Sequence, residues 1–321
     1  MKVLVTGGAG YVGVPVVEEL QGAGHDVTVL DSLLHEQATV ADVLRSRGVP
    51  LIVADVRDAA ARRKALENAE AVVHLAAIVG DPACARQPEL SHAVNVEGSG
   101  ALVDDAKAVG VERFIFASTC SNYGRMADPT VPVDETAELL PVSLYAEQKV
   151  AIEKELLSGD HEGLARTCLR FATVYGVADR MRFDLTVNQF TRDLWAAHAL
   201  EVYGELFWRP YVHVRDAARA VATVLGRESS EVAGRVFNVG DSDENFRKRD
   251  LVEMITSRLG RGTVHYVPRE EDPRDYRVSF ARIREELGYV PSYGVSDGIE
   301  ELIGALEERR FGDPFDARYE N

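Results

Sequence analysis

Cysteine is scarce in this 321-residue chain: Cys84, Cys120 and Cys168 are the only three. Their spacing matches no metal-ligand pattern and suggests no disulfide framework, so no metal site is expected. Long apolar runs are also missing; none approaches the ~20 residues of a membrane span, and no membrane partner is expected. Basic residues are in deficit, 36 Lys and Arg against 52 Asp and Glu, giving a formal net charge of −16. That balance argues against nucleic acid as a partner. An anionic small molecule is still admissible, because it needs only a local arginine pocket. The opening MKVLVTGGAG passes directly into a strand and turn, without the apolar core and cleavage site of a signal peptide. A cytoplasmic location is the expectation.

What is present is a rhythm. KVLVTG, DVTVLD, PLIVADV, AVVHLAA and RFIFAST read as buried strands, and amphipathic or Ala-rich segments such as VPVVEELQGAG and GSGALVDDAKAVG lie between them. Strands alternating with helices predict βαβ units in a doubly wound parallel α/β sheet. ARTCLRFATVYG reads as a sixth strand and RVFNVGD as a seventh. After Gly176 the rhythm gives way to longer loops, arginines and aromatics. The expected organisation is a first domain over residues 1–175, with a strand near 235–240 returning to it, and a smaller C-terminal α/β lobe over 176–321.

The stretch VLVTGGAGYVGVPVVEEL places Gly7, Gly8, Gly10 and Gly13 between a strand and a helix. Glycines there allow a tight turn and bring backbone N–H groups close to a pyrophosphate at the positive end of the helix. A G-x-G-x-x-G pattern alone is weak evidence; here the strand, the helix and a downstream acid all accompany it. Asp31, at the end of the second strand in TVLDS, can accept hydrogen bonds from both adenosine ribose hydroxyls. It would repel a 2′-phosphate, and DSLLHEQ supplies no arginine to compensate, so NAD is favoured over NADP. The first domain is thus read as an NAD-binding Rossmann domain.

VSLYAEQKVAIEKELL sets Tyr145 and Lys149 four residues apart, on one face of an amphipathic helix. A nearby ammonium favours the phenolate, so Lys149 is expected to lower the Tyr145 pKa and make it a general base. Taken alone, such a pair is more often an ordinary exposed helix pair. TGGAGYVG together with YAEQK, however, resembles the extended short-chain dehydrogenase/reductase family, especially its NAD-dependent nucleotide-sugar epimerases and dehydratases. The resemblance covers nearly the whole chain and implies a catalytic triad of Thr119 (in STCSNYG), Tyr145 and Lys149. It implies a cofactor site formed by Gly7, Gly10, Tyr11, Val12 and Gly13 in the turn, Asp31 and Ser32 after the second strand, and Asp55 and Val56 in ADVRD. Leu75, Ala76 and Ala77 in HLAA belong to that site too, with Asn95, Ser118, Tyr145 and Lys149. Ala172 in RFATVYG stands where many relatives carry Asn.

In such enzymes a sugar hydroxyl gives its proton to the tyrosine while the nicotinamide accepts hydride; Lys149 also holds the nicotinamide ribose. Dehydratase relatives place an Asp–Glu pair directly after the threonine, whereas here those positions are Cys120 and Ser121. Decarboxylating relatives commonly carry Glu at the Ser121 position. The resemblance therefore favours an isomerase: an NAD-dependent nucleotide-sugar epimerase acting at C4, through transient oxidation to a 4-keto sugar and return of hydride. The alternatives are a net nucleotide-sugar 4-ketoreductase or dehydrogenase and a non-catalytic NAD-sensing scaffold, though a scaffold has no need of an intact triad. Cys120 reads more simply as a packed small residue than as a redox thiol. The implied substrate, a nucleoside diphosphate sugar, would meet Val79, Thr119, Cys120, Ser121, Tyr145, Asn188, Arg209 in FWRPYVHV and Arg269. Arg277 is an alternative second fork for the diphosphate, and Arg180 and Arg182 in GVADRMRFDL would face an unusual sugar. A homodimer through the helices of GSGALVDDAKAVG and AEQKVAIEKELL is the expected assembly.

The Asp31 reading is checked by cofactor titration. Replacing Asp31→Ala together with Ser32→Arg should raise NADP affinity relative to NAD, because a guanidinium takes the place of a repelling carboxylate. An unchanged ratio would mean that Asp31 does not face the ribose.

Overall fold

The computed structural model describes residues 1–35, 37–158, 163–268 and 274–321. Its strands are β1 Lys2–Thr6, β2 Asp26–Asp31, β3 Leu51–Val53, β4 Ala71–His74, β5 Arg113–Thr119, β6 Ala165–Phe171, β7 Thr173–Tyr175, β8 Ala199–Tyr203, β9 Trp208–His213, β10 Arg235–Val239, β11 Asn245–Arg247 and β12 Thr263–Val267. Seven of them form one parallel sheet in the order β10-β6-β5-β4-β1-β2-β3. The order reverses between β1 and β4, so a crevice opens beyond their carboxyl ends. Thr6 leads there into the glycine turn, and His74 into Leu75–Ala77.

Successive side chains of a strand point to opposite faces, and both faces here are covered. Val3, Val5, Val29, Val73 and Ile115 pack on one side, with Val16, Val17 and Leu20 of helix Gly13–Gly22 and Val221 and Val224 of helix Val214–Leu225. Leu4, Leu30, Val72, Phe114 and Phe116 pack on the other, against Leu102 and Val103 of helix Ser99–Ala108 and Ile152 and Leu156 of helix Leu144–Ser158. Arg113, at the start of β5, donates from its guanidinium to the carbonyls of Val224, Leu225 and Arg227. A cation there satisfies the free carbonyls at the helix end and sits favourably in its dipole.

The sixth predicted strand is in fact two. β6 ends at Phe171, Ala172 donates a last backbone bond to Val239 O, and β7 leaves the large sheet to pair with β9. Gly176, with φ of 109°, turns the chain away. β7, β9 and β11 form a three-stranded sheet and β8 pairs with β12. These strands, with helices Thr186–Trp195, Lys248–Leu259 and Val295–Glu307, enclose a separate core around Phe183, Val187, Phe190, Leu251, Ile255, Ile299 and Leu302. Among the described residues no helix is long and apolar enough to cross a membrane.

A buried ionic network joins helix Leu144–Ser158 to the sheet. Glu153 accepts from the Arg170 guanidinium of β6, at 3.0 Å from Nε, and from Ser118 Oγ of β5 at 2.7 Å. Arg170 Nη1 donates to the Tyr123 hydroxyl, which donates to Asn238 Oδ1 of β10. Removing one partner of a buried pair strands the other charge, at a cost of about 3–5 kcal/mol. Glu153→Ala should accordingly lower the urea midpoint by a corresponding amount with an unchanged m-value. A midpoint near that of the parent chain would show that the pair is not needed.

Candidate functional site

The glycine turn is built by close approach. Gly7 has φ of 73°, and a Cβ added to it would stand 2.7 Å from Ala76 N; one on Gly13 would stand 2.1 Å from Gly7 O. The turn therefore packs directly on the stretch after β4, leaving a backbone cradle that any side chain would fill. His74 locks the same region: its Nδ1 lies 2.6 Å from Thr6 Oγ1 and its Nε2 2.8 Å from Ser99 Oγ. Burial holds its pKa down to about 3, so the imidazole is a neutral bridge rather than a proton carrier.

A cavity of about 350 Å³ opens over this cradle. Twelve residues expected at a dinucleotide line it: Gly7, Gly10, Tyr11, Val12, Gly13, Asp31, Ser32, Asp55, Val56, Leu75, Ala76 and Ala77. Asp31 accepts from the N–H groups of Ala9 and Leu33, at 2.9 and 2.8 Å, which fixes its carboxylate at the rim. Burial pushes its pKa up against those two bonds. Asp55 is gripped by Arg57 through two parallel bonds of 2.9 and 2.8 Å, which hold its pKa below the usual range. A bare backbone cradle at a helix N-terminus, a carboxylate at the end of β2 and an apolar slot at Ile78, Leu90 and Val94 fit the pyrophosphate, ribose and base of NAD.

Two expected cofactor residues are turned elsewhere. Asn95 is buried, accepting from Ile78 N and donating to Ile78 O and Gln148 Oε1, so it braces the Ile78 loop against helix Leu144–Ser158. Ser118 points its hydroxyl at Glu153. Residues that the sequence reading missed include His35, Gln37 and Leu90. No local signal marks them; they arrive from loops and helices that only the fold brings to the crevice.

Lys149 and Tyr145 stand beside the end of β5. The Lys149 side chain, 4% exposed, donates to Ala117 O at 2.8 Å; its Nζ lies 4.7 Å from the Phe116 ring centre and 5.9 Å from that of Tyr145. Thr119, two residues beyond Ala117, accepts from Ser121 N at 3.1 Å. The expected lowering of Tyr145 is not what this environment does. Burial raises its pKa, with Cys84 and Asp81 adding and Arg182 opposing, and burial likewise brings Lys149 down to about 8. Both groups are pushed toward their neutral forms because an enclosed site disfavours either charge.

The residues expected at the substrate divide. Val79 and Arg182 line the dinucleotide cavity, with Arg180. Cys120 is turned into the core, 1% exposed, its thiol donating to Arg170 O and its pKa pushed well up by burial, so it presents nothing to a ligand. Ser121 reaches the Tyr276 hydroxyl, and the Tyr276 ring lies 5.5 Å from the buried Arg209 guanidinium, which brings these three into one region. Arg209 Nη1 itself donates to Trp208 O at 2.7 Å. Arg277 donates to Thr130 O and stacks over Trp208. Asn188 spends its amide inside the protein, accepting from Gly176 N and donating to the Tyr11 hydroxyl and to Arg182 O. It therefore bonds the glycine turn to the second lobe. Arg269 lies outside the described residues. Among the described residues no group of three His, Cys, Asp or Glu is placed to hold a metal.

Comparison with known proteins agrees with this geometry. The family model described as NAD dependent epimerase/dehydratase family matches residues 3–240. A UDP-glucose 4-epimerase of Corynebacterium glutamicum is 30% identical, over 91% of this chain and 92% of its own. A dTDP-glucose 4,6-dehydratase of Streptomyces griseus is also 30% identical, over 96% and 94%. The crystal structure of Thermus thermophilus UDP-glucose 4-epimerase in complex with NAD superimposes with a TM-score of 0.83 at 29% identity, covering 96% of this chain and 99% of that one.

Proposed function

The chain belongs to the NAD dependent epimerase/dehydratase family, and within it we propose a redox-neutral nucleotide-sugar epimerase that acts at C4 with NAD as its cofactor. One observation carries the choice between the two activities of its relatives: the missing acid. The two positions after Thr119 are a core-facing thiol and a serine, so dehydration lacks its carboxylate pair. The nearest buried carboxylates are already committed. Glu153 is bound by Arg170 and Ser118, and Glu135 accepts from Asn238 N and faces Arg282. A small hydroxyl at Ser121 suits an epimerase that must hold a sugar in two orientations.

NAD, when bound, supplies a hydride acceptor that returns the hydride within the same cycle. Tyr145 is the residue we assign to the proton of the sugar hydroxyl, with Thr119 holding the same oxygen. Lys149, cationic at neutral pH with its pKa at about 8, is the cation we assign beside Tyr145, its Nζ 5.9 Å from the phenol ring centre. Arg209, stacked on Tyr276 next to Ser121, is our candidate for the diphosphate. The division into a cofactor domain over 1–175, joined by the strand at 235–239, and a substrate lobe over 176–321 belongs to the same proposal. The core around Phe183 and Leu251 supports the second lobe, while helix Val214–Leu225 and Tyr276, Phe280 and Ile283 pack with the core of the first.

The test uses purified protein with UDP-glucose, the substrate named for several relatives, and no added cofactor. Interconversion with its C4 epimer at constant NADH absorbance is expected, along with NAD released on denaturation. Tyr145→Phe should reduce this turnover by roughly 10²–10⁴-fold while NAD stays bound. Net NADH formation, loss of the C6 oxygen, or an unimpaired Tyr145→Phe would each sink the reading.

We also propose a cytoplasmic homodimer. Helices Ser99–Ala108 and Leu144–Ser158 pack on the same sheet face, and Ala108, Val109 just after the first helix and Ala151 are exposed. Light scattering should give twice the 35.2 kDa chain mass, and fractionation should place the protein in the cytosol. A monomer, or recovery from another compartment, would refute it.

A further inference from the structure

Two buried arginines on the dinucleotide cavity have more N–H donors than the bonds they make within the protein. Arg180 and Arg182 are 5% and 8% exposed and follow the turn at Gly176. Arg182 commits Nε and Nη2 to Asp184. Arg180 has no carboxylate partner among the described residues; its Nη2 donates to Glu320 O at 3.2 Å and to Asn321 Oδ1 at 2.6 Å, both neutral acceptors. Burial and the neighbouring Arg182 bring the Arg180 pKa down to about 10, and partial burial with the same two cations holds half-buried His35 down to about 4. A guanidinium has five N–H donors, so several here remain for another acceptor.

Their position is set by the glycine turn itself. Tyr11, between Gly10 and Gly13, donates to Gly176 O at 2.7 Å, at the root of the arginine loop. Asn188 then binds both the Tyr11 hydroxyl and the Arg182 carbonyl, at 3.0 and 2.8 Å. The loop is thereby tied to the middle of the phosphate-binding turn, and both arginines line the cavity together with Gly7, Gly10 and Gly13. In a chain of net charge −16, a dianionic group entering this cavity needs local cations to overcome the surrounding field.

We propose that Arg180 and Arg182 close over the cofactor's pyrophosphate from the second lobe, facing the N–H groups of the glycine turn, and so retain the dinucleotide between turnovers. The sequence reading had placed both at the sugar. Arginine suits the role because its planar fork matches phosphate oxygens and keeps its charge when buried. The inference rests on the reading of this cavity as an NAD site.

Calorimetry on nucleotide-free full-length chain, using NAD, ADP and adenosine as probes, separates the contributions. Arg180→Gln should weaken NAD and ADP binding by about tenfold or more, as for loss of a charge-assisted bond, and leave adenosine within about twofold. Arg182→Gln should behave alike, and Arg180→Lys should recover part of the loss. UDP binding to the NAD-saturated variants should be unchanged. Variants that keep wild-type NAD and ADP affinity but lose UDP would place the arginines at the sugar nucleotide and overturn the inference. Loss of adenosine together with ADP would overturn it too, by showing that the arginines shape the whole cavity. If the wild-type chain itself bound none of the three probes, the cofactor reading would fall instead.

Discussion

The Glu153–Arg170 pair is the interaction on which the arrangement of the site depends. Tyr145, Lys149 and Glu153 recur every four residues and share one face of helix Leu144–Ser158. At the far end of that face Glu153 is clamped to β6 and, through Ser118, to β5; one turn earlier Lys149 is bonded to the Ala117 carbonyl. Two polar attachments along one stripe fix both the rotation and the axial position of the helix. Tyr145, one turn further on, then has its place beside the end of β5, where Thr119 lies. The pair costs desolvation, and a hydrophobic replacement could pack as stably. What an ionic clamp adds is direction, since it is satisfied at only one register.

A second constraint joins the two lobes. The Tyr11 hydroxyl, Asn188 and the Gly176 backbone form a closed set of hydrogen bonds between the glycine turn and the segment that leaves the large sheet. Burial keeps the Tyr11 phenol protonated and therefore able to donate. Cofactor turn and second lobe thus meet through short, directed contacts in addition to the apolar packing of Tyr11 and Val12 on the second core. The crevice between them keeps its shape, which suits a site that must hold one cofactor while a sugar is oxidised and reduced in place.

The choice of reaction follows from small side chains. Members of the family share the fold and the Tyr–Lys pair, so these cannot separate an epimerase from a dehydratase. The separation comes from Cys120 and Ser121, where a core-directed thiol and a hydroxyl replace acid and base, and from the commitment of Glu153 and Glu135 to structural partners. Eliminating a sugar hydroxyl needs a proton donor at neutral pH, and the two positions after Thr119 offer no carboxylate.

Local pattern was enough for the parts of this protein that repeat at short range. Apolar runs of strand length, alternating with helical periodicity, specified a doubly wound parallel sheet. The Gly7–Gly13 spacing with Asp31 located the cofactor turn, and the four-residue interval located Tyr145 and Lys149. Tertiary structure decided whatever depends on which distant groups share a small volume. It split the sixth strand at Ala172, set Asn188 at the lobe junction, turned Cys120 inward and placed Arg180 where its charge acts on Asp31, whose own segment holds no arginine. It also reversed the expected shift of Tyr145. The sign of a pKa shift depends on the balance between a neighbouring charge and the loss of water, and only the packed structure says how much water is lost.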